Sequence, residues 1–232
     1  MGGIEKFRTY GDVFDERTLR NIFKLKSEGY FEDLASPIST GKESNVFSAK
    51  TKSGDYVCVK IYMINTANFR RMYNYIGSDK RFEGLQKKRR QIIYAWAQRE
   101  YRNLMIAYES KINVPKPIVV KENILVMEFI GNNGEAAKLL KYSHPKNMKK
   151  FSKEIVNNIK KLYKARLVHG DLSEFNIINC NERPIFIDFS HGIKLDYQNA
   201  DELLKRDINN IKKFFVKNNV KIKDKFLDKF NN

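Results

Sequence analysis

Cysteine is almost missing from this chain. Cys58 and Cys180 are the two it has in 232 residues, and their separation matches no metal-type spacing. A reducing cytoplasm fits that usage, with Cys58, inside a strand-like run, read as a buried thiol. Histidine is also scarce. His144 and His191 carry no partner pattern and default to surface positions. No run of about 18 apolar residues occurs, so no membrane span is expected. Met1–Tyr10 is mixed polar and charged, without an apolar signal segment. There is no internal repeat. Acid is in short supply: 27 Asp and Glu stand against 44 Lys and Arg, a formal net charge of +17. That imbalance speaks to partners and solubility rather than to fold. Nucleic acid is its commonest reason, and a lysine-rich solvated surface is the plain alternative.

What is present suffices for a core. Hydrophobic residues make up 42% and aromatics 12% of a length that suits one large domain or two small lobes. Residues 11–34 read as a helical preface, with Asp15 as N-cap, Leu19, Ile22 and Phe23 at helical spacing, and Gly29 as the stop. A second short helix or turn is expected around Phe31 and Leu34, ended by Pro37. Ile38–Phe47 reads as strand, small-residue turn, strand. Tyr56–Tyr62 alternates as a strand, with Val57, Val59 and Ile61 on one face and Cys58, Lys60 and Tyr62 on the other. From Asn65 to Arg90 eight basic residues face two acids, Asp79 and Glu83, and Phe69, Tyr73, Tyr75 and Phe82 are interleaved. This 64–90 segment reads as a mobile or partly helical insertion that could bind nucleic acid by charge with stacking, and equally as a solvated loop. Gln91–Ser110 is a strong helix. Ile93, Trp96, Ala97, Glu100, Leu104 and Ala107 share one face, and a carboxylate in that apolar stripe is costly unless paired. Ile118–Val120 and Ile124–Phe129 read as a hairpin, Lys146–Arg166 and Ala200–Val216 as helices, and Lys217–Asn232 as a basic, partly helical tail.

Val168-His169-Gly170-Asp171-Leu172-Ser173-Glu174-Phe175-Asn176 carries the chemistry, with Ile185-Phe186-Ile187-Asp188-Phe189-Ser190 after it. The first matches the H-R-D-x-x-x-x-N loop of protein kinases, with Gly170 in the Arg slot. The second matches D-F-G, with Ser190 in the Gly slot. Phosphoryl transfer explains the residue types. Asp171 receives the hydroxyl proton of the acceptor, and Asn176 with Asp188 holds the metal ions that neutralise phosphate charge. His169 fits packing and hydrogen bonding better than base chemistry. Upstream, Ser39-Thr40-Gly41-Lys42-Glu43-Ser44-Asn45-Val46 fills the Gly-rich-loop slots with one glycine of three, and the need it meets is for small side chains beside phosphates. Taken alone, the stretch reads first as an ordinary hairpin. Lys60 lies fourteen residues past Val46 in a V-A-I-K-like strand. Pairing with Glu100 would answer the buried carboxylate. Met127 fits the back of a purine pocket as well as plain core, with Glu128 and Ile130 offering backbone groups to adenine. No A-P-E sequence occurs, and no long segment separates Asp188 from the next helix.

The assembled set resembles the RIO family of atypical protein kinases, most closely its type-1 branch. The resemblance rests on Ser39–Val46, Val59-Lys60-Ile61-Tyr62, Trp96–Leu104, Leu167–Asn176 and Ile187-Asp188-Phe189-Ser190, and spans about residues 12–216. It implies an α+β, trimmed two-lobe kinase-like fold without an activation loop or peptide-docking subdomains. The expected parts are a helical extension over 1–37, an N-lobe over 38–130 and a C-lobe over 131–232. It also implies ATP with Mg²⁺ or Mn²⁺, serine phosphorylation, and ATPase turnover acting as a switch in small-ribosomal-subunit maturation, with ribosomal RNA as partner. Two rivals stand beside it. An aminoglycoside-phosphotransferase-like kinase shares H-G-D-x-x-x-x-N and I-D-F, but a cationic substrate sits poorly with the basic 40-odd residues after Asp188. An RNA-binding pseudokinase scaffold would have no reason to keep Lys60, Glu100, Asp171, Asn176 and Asp188 together.

Overall fold

A computed structural model describes residues 14–66, 69–77, 80–86 and 88–230. Residues 1–13, 67–68, 78–79, 87 and 231–232 of the segments read above lie outside them. The chain divides into two compact units. One holds the described residues up to Arg99 with Ile118–Ala136, the other Glu100–Pro117 with the chain from Ala137 on. No helix among the described residues is long and apolar enough to cross a membrane.

The first unit is built on a five-stranded sheet in the order β1-β2-β3-β5-β4, formed by Asp33–Thr40, Ser44–Lys50, Tyr56–Tyr62, Ile124–Glu128 and Pro117–Lys121 respectively. Helix α1, Glu16–Ser27, begins at Asp15, whose carboxylate accepts from the backbone of Arg17 and Thr18. It ends in a Schellman turn. Gly29, at φ +86°, donates to Lys26 O at 3.0 Å, and Tyr30 N donates to Leu25 O at 3.1 Å. Ile22 and Leu25 of α1 pack with Phe31, Val59, Ile61 and Val126 in one core. Full burial of side chains of this size stabilises by about 1.5–3 kcal/mol each. Arg17 grips Glu122 through Nε at 2.8 Å and Nη2 at 2.5 Å, and Asn21 adds a bond to Glu122 at 2.8 Å. The Arg17 bonds lead in drawing the Glu122 carboxyl down to about 2.

Three expectations change here. The stretch around Phe31 and Leu34 is not helix: β1 starts at Asp33 and runs through Pro37. Proline is tolerated because β1 is an edge strand, with register shifts between Leu34 and Ser36 and between Pro37 and Ser39. The solvated-loop reading of 64–90 also fails. Helix α2, Phe69–Gly77, buries Met72 and Ile76, and Phe69, Tyr73, Tyr75 and Phe82 pack against the cluster around Trp96. Tyr75 meets Trp96 edge-on at 5.9 Å, and the fully buried Arg99 guanidinium lies 5.4 Å from the Tyr75 ring. These rings complete a core and are not displayed for base stacking. Cys58 is half-buried rather than buried. Helix α3 spans Arg89–Glu109 and crosses the boundary between the units after Arg99.

In the second unit, helix α4, Met148–Lys164, is capped by Asn147 and buries Phe151, Ile155, Ile159 and Leu162. Short strands follow: β8, Leu167–Val168, pairs with β11, Ile193–Lys194, and β9, Ile177–Cys180, pairs with β10, Arg183–Phe186. Helix α5, Ala200–Lys217, buries Leu204, Ile208, Ile211 and Phe215. A one-turn helix α6, Lys225–Asp228, closes the described chain. Gly131–Asn132 and Glu135–Ala136 make a small ribbon, β6 and β7, in the first unit.

Candidate active site

Strand β8 delivers the chain to Asp171. His169, almost fully buried, shares a hydrogen bond between Nε2 and Ile187 O at 2.9 Å, and its ring packs at a tilt 4.6 Å from that of Phe189. It is a packing and hydrogen-bonding residue, as its place in the loop suggested. Gly170 has φ +78°, and a Cβ there would come within 2.5 Å of His191 O. The Arg slot of the kinase loop therefore has no room for a side chain in this protein. Asp171 is half-buried, and Asn176 Nδ2 donates to its backbone O at 2.7 Å and to Oδ2 at 3.1 Å.

Three residues of α5 hold the backbone around Asp171. Asp207 Oδ2 accepts from Gly170 N at 2.8 Å and Oδ1 from Leu172 N at 2.9 Å. Arg206 Nη2 donates to Gly170 O, and Asn210 Nδ2 to Leu172 O at 3.3 Å. Asp207 is 2% exposed. Burial pushes its carboxyl up to about 7, although the Leu172 and Gly170 N–H groups pull the other way. The sequence reading missed all three. Asp207 carried the same signal that singled out Glu100, an acid set in the apolar stripe of a helix.

The β9–β10 hairpin brings Asp188 to Asn176: Ile187 N donates to Asn176 O at 3.1 Å. Asp188 itself adopts the left-handed region, φ 61° and ψ 69°. Ser190 Oγ donates to Asp188 Oδ1 at 2.6 Å, which fixes the carboxylate. Ser190 thus does more than fill a glycine slot. His191 is a correction, being 7% exposed rather than a surface residue; its Nδ1 lies 3.3 Å from Ser190 Oγ. His144 is exposed as expected, edge-on to Phe214. Asn103 Nδ2 bonds Phe189 O at 3.0 Å and Gly192 O at 2.7 Å, tying the same turn to α3. The donor set suits a small hard cation. With Nδ2 turned to Asp171, Asn176 presents its amide oxygen, and Asp188 supplies a carboxylate. No cluster of three His, Cys, Asp or Glu capable of caging a metal exists among the described residues. One carboxylate plus a neutral oxygen is how Mg²⁺ is bound when phosphates complete its shell.

The other predicted residues lie in the first unit, apart from Glu100. Ser39, Thr40, Gly41 and Lys42 are exposed, Glu43, Ser44 and Val46 half-buried, in a tight hairpin closed by Gly41 N to Ser44 O at 3.0 Å. Thr66 Oγ1 holds Lys42 O at 2.9 Å. Lys60 pairs in register with Val46 and with Leu125, is 6% exposed, and sits with Nζ 5.1 Å from the Tyr62 ring centre. On β5, Met127 lies opposite Cys58 and Glu128 opposite Val57, and Ile130 follows, half-buried. Glu100 is 1% exposed and belongs to the second unit.

A family model described as the RIO domain matches residues 45–227. The chain is 41% identical over 228 residues to the RIO-type serine/threonine-protein kinase Rio1 of Methanocaldococcus jannaschii, covering 98% of this chain and 78% of that protein. It is 38% identical over 211 residues to the Rio1 of Haloferax volcanii, covering 91% and 73%. The human serine/threonine-protein kinase RIO1 is 34% identical over 219 residues, 92% of this chain and 39% of that one. Among solved structures, a Rio2 kinase–ADP/Mg²⁺–phosphoaspartate complex from Chaetomium thermophilum superposes with TM-score 0.70 at 22% identity, over 90% of this chain and 63% of that one. That likeness carries the fold, a trimmed kinase-like α+β architecture.

Proposed function

This chain belongs to the RIO family of serine/threonine-protein kinases, in its Rio1 branch, and on that premise we propose that it moves the γ-phosphoryl group of ATP with Asp171 as base. The observation that carries the reading is the hold on Asp171. Its backbone is gripped on both sides by α5, and its carboxylate is met by Asn176 at 3.1 Å. A base fixed in this way needs no reorganisation when an acceptor hydroxyl arrives. Asn176 and Asp188 are the groups that would hold Mg²⁺ or Mn²⁺. Bound there, the cation would neutralise charge on the phosphate oxygens. Lys60, buried on β3, would reach the phosphates and pair with Glu100. The Ser39–Val46 turn would cover them, and Met127, Glu128 and Ile130 would receive the adenine.

The biological setting we propose is small-ribosomal-subunit maturation, with precursor ribosomal RNA as partner and ATP turnover as the switch. The net charge of +17 supports a polyanionic partner and disfavours the cationic substrate of an aminoglycoside kinase. In the test, Asp171→Asn abolishes transfer while ATP–metal binding survives, and Asp188→Asn weakens metal-dependent ATP binding. Asp188 would also attack the γ-phosphorus itself, its oxygen forming the new bond as the bond to ADP breaks. Label on the enzyme should then be hydroxylamine-labile and missing in Asp188→Asn. Wild-type turnover in Asp171→Asn, or aminoglycosides phosphorylated faster than protein serine, overturns the reading.

A further inference from the structure

Helix α4 has a second face that catalysis does not use. At 100° per residue, Lys149, Lys150, Lys153, Lys160, Lys161 and Lys164 fall within a sector of about 120°, opposite the buried Phe151, Ile155, Ile159 and Leu162. From Lys149 to Lys164 the stripe is about 22 Å long at the helical rise. Lys149, Lys150, Lys153 and Lys164 are exposed and form no ion pair with any described residue. Glu154 is the one acid in the helix.

The tail extends this surface. Lys160 Nζ bonds Asp224 at 2.8 Å, and the Tyr163 ring meets Phe226 at 5.3 Å and Phe230 at 5.8 Å. These contacts lay the tail along the C-terminal half of α4 and bring the exposed Lys221, Lys223, Lys225 and Lys229 beside the stripe. The tail's two described acids are already engaged. Asp224 is held by Lys160; burial raises its carboxyl, yet the Lys160 bond and charge together with the Phe226 and Leu227 N–H groups keep it below the usual value. Asp228 lies 3.6 Å from Lys212. A merely solvated helix face would alternate its charges to gain i,i+4 pairs. This one accumulates a single sign.

The missing feature is as informative. Single-stranded nucleic acid is held by charge together with aromatic platforms for its bases. On this face the ring of Tyr163 is engaged edge-on by Phe226 and Phe230. What is left is a row of ammonium groups on rigid helical spacing, suited to phosphates whose bases are stacked away inside a duplex. We propose that the solvent face of α4, with the tail beside it, docks the phosphodiester backbone of double-stranded RNA. This rests on the RNA partner proposed above and assigns it a place on the surface.

The test compares two triple charge reversals. One is Lys149→Glu, Lys153→Glu and Lys164→Glu. The other, Lys24→Glu, Lys50→Glu and Lys52→Glu, removes equal charge from exposed lysines of the first unit. Binding of a 20-base-pair duplex RNA is read by fluorescence anisotropy across a salt series, and ATP turnover is read separately. The α4 variant should lose about 10- to 100-fold in affinity, and its salt slope should shrink by about 2 to 3, near 0.9 per lost phosphate contact. The control should lose less than about 3-fold, since the proposal gives its lysines no phosphate contact. Turnover should be unchanged in both. Equal loss in the two variants, tighter binding of the single strand than of the duplex, or displacement of the duplex by polyglutamate at equal charge overturns the surface. Failure of the wild-type protein to bind any RNA overturns the RNA partner itself, while the assignments of Asp171 and Asp188 would stand or fall on turnover alone.

Discussion

Asp207→Asn separates the grip on the catalytic segment from the cost of burying a charge. Unfolded, this carboxyl titrates near 3.8; folded, burial moves it to about 7 against the pull of the Leu172 and Gly170 N–H groups. The folded protein therefore holds the proton more tightly than the unfolded chain. The contribution to stability is greatest at low pH, falls once the unfolded carboxyl ionises above about 4, and levels off when the folded one ionises near 7. Between pH 5.5 and 8.5 the active interval is about 1.5 units, worth about 2 kcal/mol at 1.36 kcal/mol per unit. Asparagine is neutral throughout and lacks that loss. It also turns an amide N–H toward one of the two backbone donors, which costs about 1–3 kcal/mol at every pH. The diagnostic quantity is thus the difference between pH values rather than the offset. Urea unfolding followed by far-UV circular dichroism measures it, because Trp96 reports on the first unit and Asp207 lies in the second. Relative to Asp207→Asn, the wild type should lose about 2 kcal/mol more between pH 5.5 and 8.5. Parallel behaviour of the two proteins would show that Asp207 does not titrate in that window, and the argument from its burial would be wrong.

Lys60→Ala should lower nucleotide turnover by orders of magnitude with the fold retained, because Lys60 lies in register between Val46 and Leu125 on a strand whose packing face is carried by Val59 and Ile61; near-normal turnover in a folded variant would remove it from the phosphate site. Ser173 occupies the slot where many protein kinases carry a charge-stabilising lysine, and Lys42, exposed in the β1–β2 turn, is the basic side chain expected to supply that charge. Lys42→Ala should then cut turnover about 10- to 1000-fold with a smaller loss of ATP affinity, and unchanged turnover would assign Lys42 to solvent.

The long helices and the strands with strict alternation were legible because one periodicity decided each of them. Val57, Val59 and Ile61 face the α1 core, as their alternation required. Where two signals competed, the sequence misled. Pro37 suggested a helix stop, but an edge strand with shifted register also accepts proline, and nothing local distinguishes the two. The charges of residues 64–90 hid a core contribution, since Met72 and Ile76 are four apart among arginines and tyrosines. The candidate triplet of Asp171, Asn176 and Asp188 was visible because phosphoryl-transfer chemistry would fix such a spacing. Its supports were not, because Arg206, Asp207 and Asn210 lie 35 to 38 residues from the backbone groups they hold, counted from Gly170 and Leu172. Asp207 to Leu172 is the shortest such link, at 35.

That separation has a consequence during synthesis. Gly170–Leu172 leaves the translating ribosome ahead of the helix that must hold it. At about 5–20 residues per second, α5 follows roughly 2–7 s later. Until then the backbone N–H groups of Gly170 and Leu172 lack the Asp207 carboxylate, and Asp171 sits on a loop whose left-handed glycine permits many conformers. A nascent chain stopped short of residue 206 would carry every residue of the catalytic motif and still have no fixed base. Activity would therefore wait on the synthesis of α5, and a premature stop after Asp188 should yield an inert product rather than an unregulated one.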